Sequence, residues 1–213
     1  MNLSFLQNDP LNTVIVNSAD GAVMYATETH KLVNSATTIK RMVPGVEGGQ
    51  TIAEIHWGTL TFRSPRVKYR GEELRTSDFL LKESLFSRFA LIISCKSDSE
   101  ILCRSRTFIA GDRKEYKWKC DGPKKFEVSL WLWPIELPGH SFSELQLFDP
   151  AKNLLVESHK EHFGIFHKAS QYNLDITASG MHMLDDIIVS FVVMKHEEDL
   201  RQKSVSVTGA GVS

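Results

Sequence analysis

The sequence predicts a mainly β protein, a closed and mostly antiparallel β-barrel built around one C-terminal helix. Three observations point there. Ten or more short strand-like segments recur at regular spacing with turn residues between them, the pattern of all-β sandwiches and barrels. One late segment, Leu184 to Arg201, is apolar on every side between flanking charges and so has to be enclosed. A sheet of that many strands does not stay open comfortably, and closing it leaves a lumen too wide for its own side chains. A helix ~10 Å across would fill that space.

The first strands are the clearest. Thr13 to Ser18 and Val23 to Glu28 flank Ala19-Asp20-Gly21-Ala22. Asp-Gly supplies the two positive φ angles of a type I′ turn. With that turn Val16 faces Tyr25, and Val14, Val16, Val23 and Tyr25 share the buried side. Ala36 to Val43 is a further strand, ended by Pro44-Gly45. Thr51 to Trp57 places Ala53, Ile55 and Trp57 on one face. Gly58 then breaks the alternation at a bulge or bend, after which Leu60 and Phe62 take the apolar side. Val67 to Arg70 with Gly71-Glu72 is a short strand and turn. Ser77 to Lys82 is a short helix with Ser77 as its N-cap. Phe86 to Arg104 is the least legible stretch, part strand-like and part loop-like.

Order returns at Arg106 to Ala110 and Lys114 to Lys119, joined by Gly111-Asp112-Arg113. Here Tyr116 and Trp118 share a face opposite Lys117 and Lys119. Phe126, Val128, Leu130 and Leu132 alternate with Glu127, Ser129, Trp131 and Trp133. Leu145 and Leu147, then Leu154 and Val156, flank the turn Asp149 to Asn153. Tyr172, Leu174 and Ile176 alternate just before the closing segment. In that segment Asp185 and Asp186 lie where the positive end of a helix dipole would be, and Lys195 to Arg201 continues in good helix formers. Both favour a helix over 184–201, although periodicity alone leaves a central strand open. Nothing reads as a linker, so residues 1–203 form a single domain, and 204–213 is expected to be a disordered tail.

The totals narrow the function classes. Lys and Arg number 25 against 26 Asp and Glu, a formal net charge of −1, so there is no general pull toward nucleic acid. Three cysteines, Cys95, Cys103 and Cys120, form no Cys-x-x-Cys pair, which argues against a disulfide framework and a structural zinc site. Met1 to Pro10 has neither a basic start nor an apolar stretch, so no secretory signal is read. The apolar run is far shorter than the ~20 residues of a membrane span. The expected setting is cytoplasmic, with peripheral membrane contact open. There is no nucleophile elbow, phosphate loop, zinc-protease helix or dinucleotide fingerprint, so neither an enzyme nor a cofactor is expected.

Three groups could carry chemistry. His159, His162 and His167 are the histidine cluster, but in an extended segment the middle one points away from the other two, which reads as incidental rather than metal-binding. Arg113, Lys117, Lys119, Lys124 and Lys125 are the lipid- or phosphate-binding candidates. Strand parity and two adjacent turns can bring them to one face, where convergent cations hold a phosphorylated headgroup or an anionic membrane. The competing reading is a solvated outer face, lysines being a common defence of exposed strands. Trp131 and Trp133 oppose the apolar row of their strand and are the membrane-contact candidates, against the alternative of cover by a neighbouring loop.

Four motifs carry a resemblance. Asn8-Asp9-Pro10-Leu11-Asn12-Thr13, Ile52-Ala53-Glu54-Ile55-His56-Trp57, Arg106-Thr107-Phe108 with Tyr116-Lys117-Trp118-Lys119, and Leu184-Asp185-Asp186-Ile187-Ile188-Val189-Ser190-Phe191 resemble an uncharacterised domain family of fungal, mostly mushroom-forming, genomes. That family is similar to the tubby C-terminal domain, the plant LURP-one-related proteins and the phospholipid scramblases. The resemblance runs from Asn8 to about Arg201, with Leu85 to Cys103 departing from it. It implies a barrel of about twelve strands around a hydrophobic C-terminal helix. Members of the wider superfamily bind phosphoinositides or act at membranes, and no catalytic residues come with the likeness. The expected role is therefore a non-catalytic binding module for anionic phospholipid or phosphoinositide. Its rival is a protein-interaction or structural domain without a small ligand.

Overall fold

The computed structural model describes residues 1–30, 35–58, 64–82, 105–120, 145–159 and 172–209. In chain order the strands are β1 (Asn2–Phe5), β2 (Thr13–Asn17), β3 (Val23–His30), β4 (Ala36–Arg41), β5 (Gln50–His56), β6 (Arg66–Tyr69) and β7 (Glu72–Arg75). After a one-turn helix, α1 (Thr76–Phe79), come β8 (Leu81–Lys82), β9 (Arg106–Ile109), β10 (Glu115–Cys120), β11 (Leu145–Phe148), β12 (Leu154–His159) and β13 (Asn173–Ile176). A 3₁₀ segment over Ala178–Met183 leads into α2 (Leu184–Gly209).

All thirteen strands belong to one antiparallel sheet, ordered β7-β6-β5-β4-β3-β2-β1-β13-β12-β11-β10-β9-β8. Every residue of α2 from Asp186 to Lys195 is buried, because the sheet reaches it from all sides. Phe191 touches the rings of Phe5, Trp118 and Tyr172, with centroids 5.5, 6.1 and 6.1 Å away. The Trp118 indole N–H donates to Ser190 Oγ at 3.0 Å, which accounts for the one polar residue inside the apolar run. Ser190 passes its own hydroxyl to the Ile187 carbonyl one turn back. The expected helix is therefore present, and it is the core.

Among the described residues, the expected closed ladder is not. β7 and β8 are the two outer strands and do not pair with each other. They are instead joined by α1, whose turn of helix takes the place of a closing ladder. Phe79 bridges that seam, its ring 6.3 Å from Tyr69 of β6 on one side and 6.3 Å from Phe108 of β9 on the other. The barrel expectation thus reduces to a mainly β sheet around a C-terminal helix, its unpaired seam spanned by Phe79.

Other differences are local. In the first hairpin only Gly21 has positive φ, at 71°, so the loop is not type I′. Asn17 and Ala22 close a longer loop, and with a bulge after Ile15 the register moves by one. Ile15 then faces Tyr25, Thr13 and Ile15 are buried, and Val14 and Val16 lie on the outer side. A one-residue slip changes the face of every side chain. The type I′ pattern falls at Arg70-Gly71, where φ is 53° and 81° and Tyr69 pairs with Glu72. A second bulge, at Leu147/Phe148, buries Leu155 beside Val156 and leaves Leu154 outside. Arg75, not Ser77, caps α1; the Ser77 hydroxyl reaches only Asp78. The central helix continues past Arg201 to Gly209, into the expected tail. Leu60, Phe62, the stretch 86–104 and the alternation over 126–133 lie outside the described residues.

Candidate functional site at the head of the central helix

Antiparallel alternation collects several turns at one rim of the sheet, around the first turn of α2. There Asp185 and Asp186, placed by the favourable end of the helix dipole, act as anchors. Asp185 accepts from the Tyr25 hydroxyl at 2.7 Å and from Arg41 at 2.9 Å. Asp186 accepts from the Tyr69 hydroxyl at 3.0 Å, Arg70 at 2.8 Å and the Gly111 N–H at 3.4 Å. Burial pushes the Asp186 carboxyl up, while the Tyr69 hydrogen bond, the Arg70 charge and the Gly111 amide oppose it. Burial likewise pushes the Tyr25 and Tyr69 phenols well above their ordinary range, and the neighbouring aspartates add to it.

Arg70 reaches Asp186 because two glycines permit it. Gly71 completes the turn, and Gly111 has no side chain where a Cβ would run into the Arg70 guanidinium. The Arg41 and Arg70 side chains are each about half exposed, at 51% and 48%, and each guanidinium has more N–H groups than its one carboxylate uses. Both line one cleft of about 290 Å³ with His182, Met24, Met42 and Met181. The next turn, 110–114, adds Arg113, exposed and with φ 63°, and Lys114, paired with Asp112 at 3.6 Å. Asp112 also lies 3.9 Å from His182. Burial would raise the Asp112 carboxyl, but the Lys114 amide and the Tyr116 hydroxyl outweigh it and hold the group below its usual value.

The sequence-derived site divides accordingly. Arg113 is on this rim. Lys117 and Lys119 are on the outer face of β10, as parity predicts, with Tyr116 and Trp118 buried behind them. Lys119 lies at the far end of the strand, ~20 Å along the chain direction from Arg113, with its ammonium 4.4 Å from the Phe148 ring centroid. Among the described residues, Arg113, Lys117 and Lys119 form a line along the strand. Lys124, Lys125, Trp131 and Trp133 lie outside the described residues, as do Cys95, Cys103, His162 and His167. His159 pairs with Asp175 at 2.9 Å, and no metal-holding group of His, Cys, Asp or Glu occurs among the described residues. Sequence reading missed Arg41, Arg70 and His182. Arg70-Gly71 as a two-residue turn was the available signal; the rest depends on pairing between strands far apart in sequence.

No described helix is long and apolar enough to cross a membrane. In comparisons with known proteins, residues 8–199 match one family model, described as a family of unknown function, DUF6593. No curated protein and no solved structure matches.

Proposed function

The chain belongs to the DUF6593 family of unknown function, and from its geometry we propose a non-catalytic binding module whose rim holds an anionic, phosphate-bearing headgroup, as on an anionic phospholipid or phosphoinositide. The observation that carries this reading is the pair of half-exposed arginine side chains, Arg41 and Arg70, fixed by carboxylates of the central helix and lining one cleft. A guanidinium held from behind loses little further freedom when its remaining N–H groups take a phosphate. Arg113 extends the cationic rim, and Lys117 and Lys119 continue it along β10 toward a surface. On the outer face Lys40 pairs with Glu28, Lys68 with Glu54 and Arg66 with Glu73. The likeness to the tubby and scramblase families supports the same ligand class, and with it a barrel closed in outline if not by its ladder.

Co-sedimentation with phosphoinositide-containing liposomes tests the reading. Each basic side chain near an anionic surface contributes ~1 kcal/mol, so Arg41→Gln with Arg113→Gln should weaken binding about thirtyfold. Lys40→Gln with Lys68→Gln, taken from matched pairs, should change it little. Added salt should weaken the wild type in step. Equal binding to neutral liposomes, or equal losses from both pairs of substitutions, would remove the site.

A further inference from the structure

We infer that the open seam of the sheet is a peptide-binding site that takes an extended, basic–apolar segment of a partner protein as an added strand. The outer strands β7 and β8 leave between them a cleft of about 340 Å³, lined by Val67, Leu74, Phe79, Leu81 and Ile109 and by the carboxylates of Glu72 and Asp78. Leu74, Leu81 and Ile109 are 39%, 46% and 64% exposed. Leu74 lies opposite buried Val67, so it points inward, and among the described residues no strand beyond β7 covers it. β8 covers β9 only at Arg106 and Thr107, which leaves Ile109 beyond its end.

The backbone supplies the pairing groups. The Thr76 N–H bonds to Pro65 and Tyr69 pairs with Glu72, so alternate residues of β7 face β6 and the Glu73 N–H and C=O face the seam. The Ala110 N–H bonds to Lys114, so by the same alternation the Ile109 groups turn away from β10, also toward the seam. An unpaired edge beside exposed apolar side chains is what strand-adding peptides use, the main chain giving affinity and alternate side chains selectivity. Charge decides the partner's character. Glu72, Asp78 and Asp186 stand at the cleft against a single lining cation, Arg70, so the lining is net acidic. Apolar residues on one face of the peptide and lysine or arginine at its ends are the complement.

The probe is a terminally blocked heptapeptide, Lys-Val-Thr-Val-Thr-Val-Lys, measured by fluorescence anisotropy against the whole chain. The inference expects saturable binding, loss of at least tenfold when alternate amides are N-methylated, and loss on Leu74→Lys or Ile109→Lys, both exposed and so compatible with folding. A control heptapeptide with glutamate at both ends should bind the wild type more weakly, and Glu72→Lys with Asp78→Lys should reverse that preference by about tenfold. Far-UV circular dichroism and a thermal melt of each variant confirm that the fold is kept. Binding that ignores N-methylation and end charge overturns the inference. So does a concentration-dependent dimer lost in the Leu74→Lys variant, which would assign the edge to a second copy. Liposome binding at the rim is read separately, so either proposal can fail alone.

Discussion

At the scale of single residues, the head of the helix is held by a few polar contacts that cannot be exchanged independently. Gly111 is the smallest of them. A methyl group there would displace the Arg70 guanidinium and take from Asp186 its charged partner, leaving a buried carboxylate with the Tyr69 hydroxyl and one amide. Gly111→Ala should therefore destabilise by about 1–3 kcal/mol in urea unfolding, more than a surface glycine warrants. In combination with Asp186→Asn the loss should shrink, because the charge to be satisfied has gone; additive losses would show that Arg70 is not the route. The four tyrosines of the chain make a second residue-scale case. Burial raises all four: Tyr116, also bonded to Asp112, and Tyr172 each to about 12, and Tyr25 and Tyr69 further. A folded-state value above the unfolded one means that stability is full below pH ~10 and lost as pH rises through the folded values. Phenolate absorbance should stay flat near pH 10 and rise together with unfolding at higher pH. A separate phenolate step in the native protein would contradict the burial.

Elements show where sequence reading reaches and where it stops. The central helix was legible because enclosure is written into composition: a run with no polar face must be surrounded whatever surrounds it. Face assignments in β5, β10 and β13 were legible for a similar reason, period-2 alternation surviving any pairing. The first hairpin was misread because Asp20-Gly21 carries a two-residue turn signal while the chain uses a longer loop, and a bulge then fixes the opposite parity in β2. Bulges are set by what the partner strand must bury, and that information lies elsewhere in the chain. The rim arginines were hidden for the same reason: Arg41 and Asp185 are far apart in sequence and meet only when the sheet wraps. α1 is the element whose value was least visible. Four residues long and weakly capped, it has no stability of its own, yet its Phe79 fills the seam between Tyr69 and Phe108. Phe79→Ala should cost about 3–5 kcal/mol, a core-sized loss from a surface turn, measured as a shift in urea midpoint. A loss under 1 kcal/mol would mean that the seam is closed by something other than this ring.

For the whole molecule the open seam sets a gradient of stability. Strands β2, β1, β13, β12 and β11 each have hydrogen-bonded neighbours on both sides; Phe5 packs on Phe191 of α2, and Leu147 and Leu174 belong to the same buried core. β7 and β8 have one neighbour each and are held together through α1. Opening at the seam exposes Leu74, Phe79 and Leu81 but breaks few ladders, whereas opening opposite it would expose the helix. Local openings draw on whichever unit is least tied down. Amide exchange should therefore be fastest at Glu73, Arg75 and Ile109. It should be slowest along Ile187 to Met194 and in β1 and β13, where only global unfolding releases the amides. An added strand at the seam would slow the first group without touching the second, because the second is already limited by the whole fold. A headgroup bound at the rim would instead protect the turn at Arg70-Gly71 and the amide of Gly111. If both ligands slow the same amides equally, the rim and the seam open as one unit and the two sites are coupled through Arg70 and Asp186, which line both clefts.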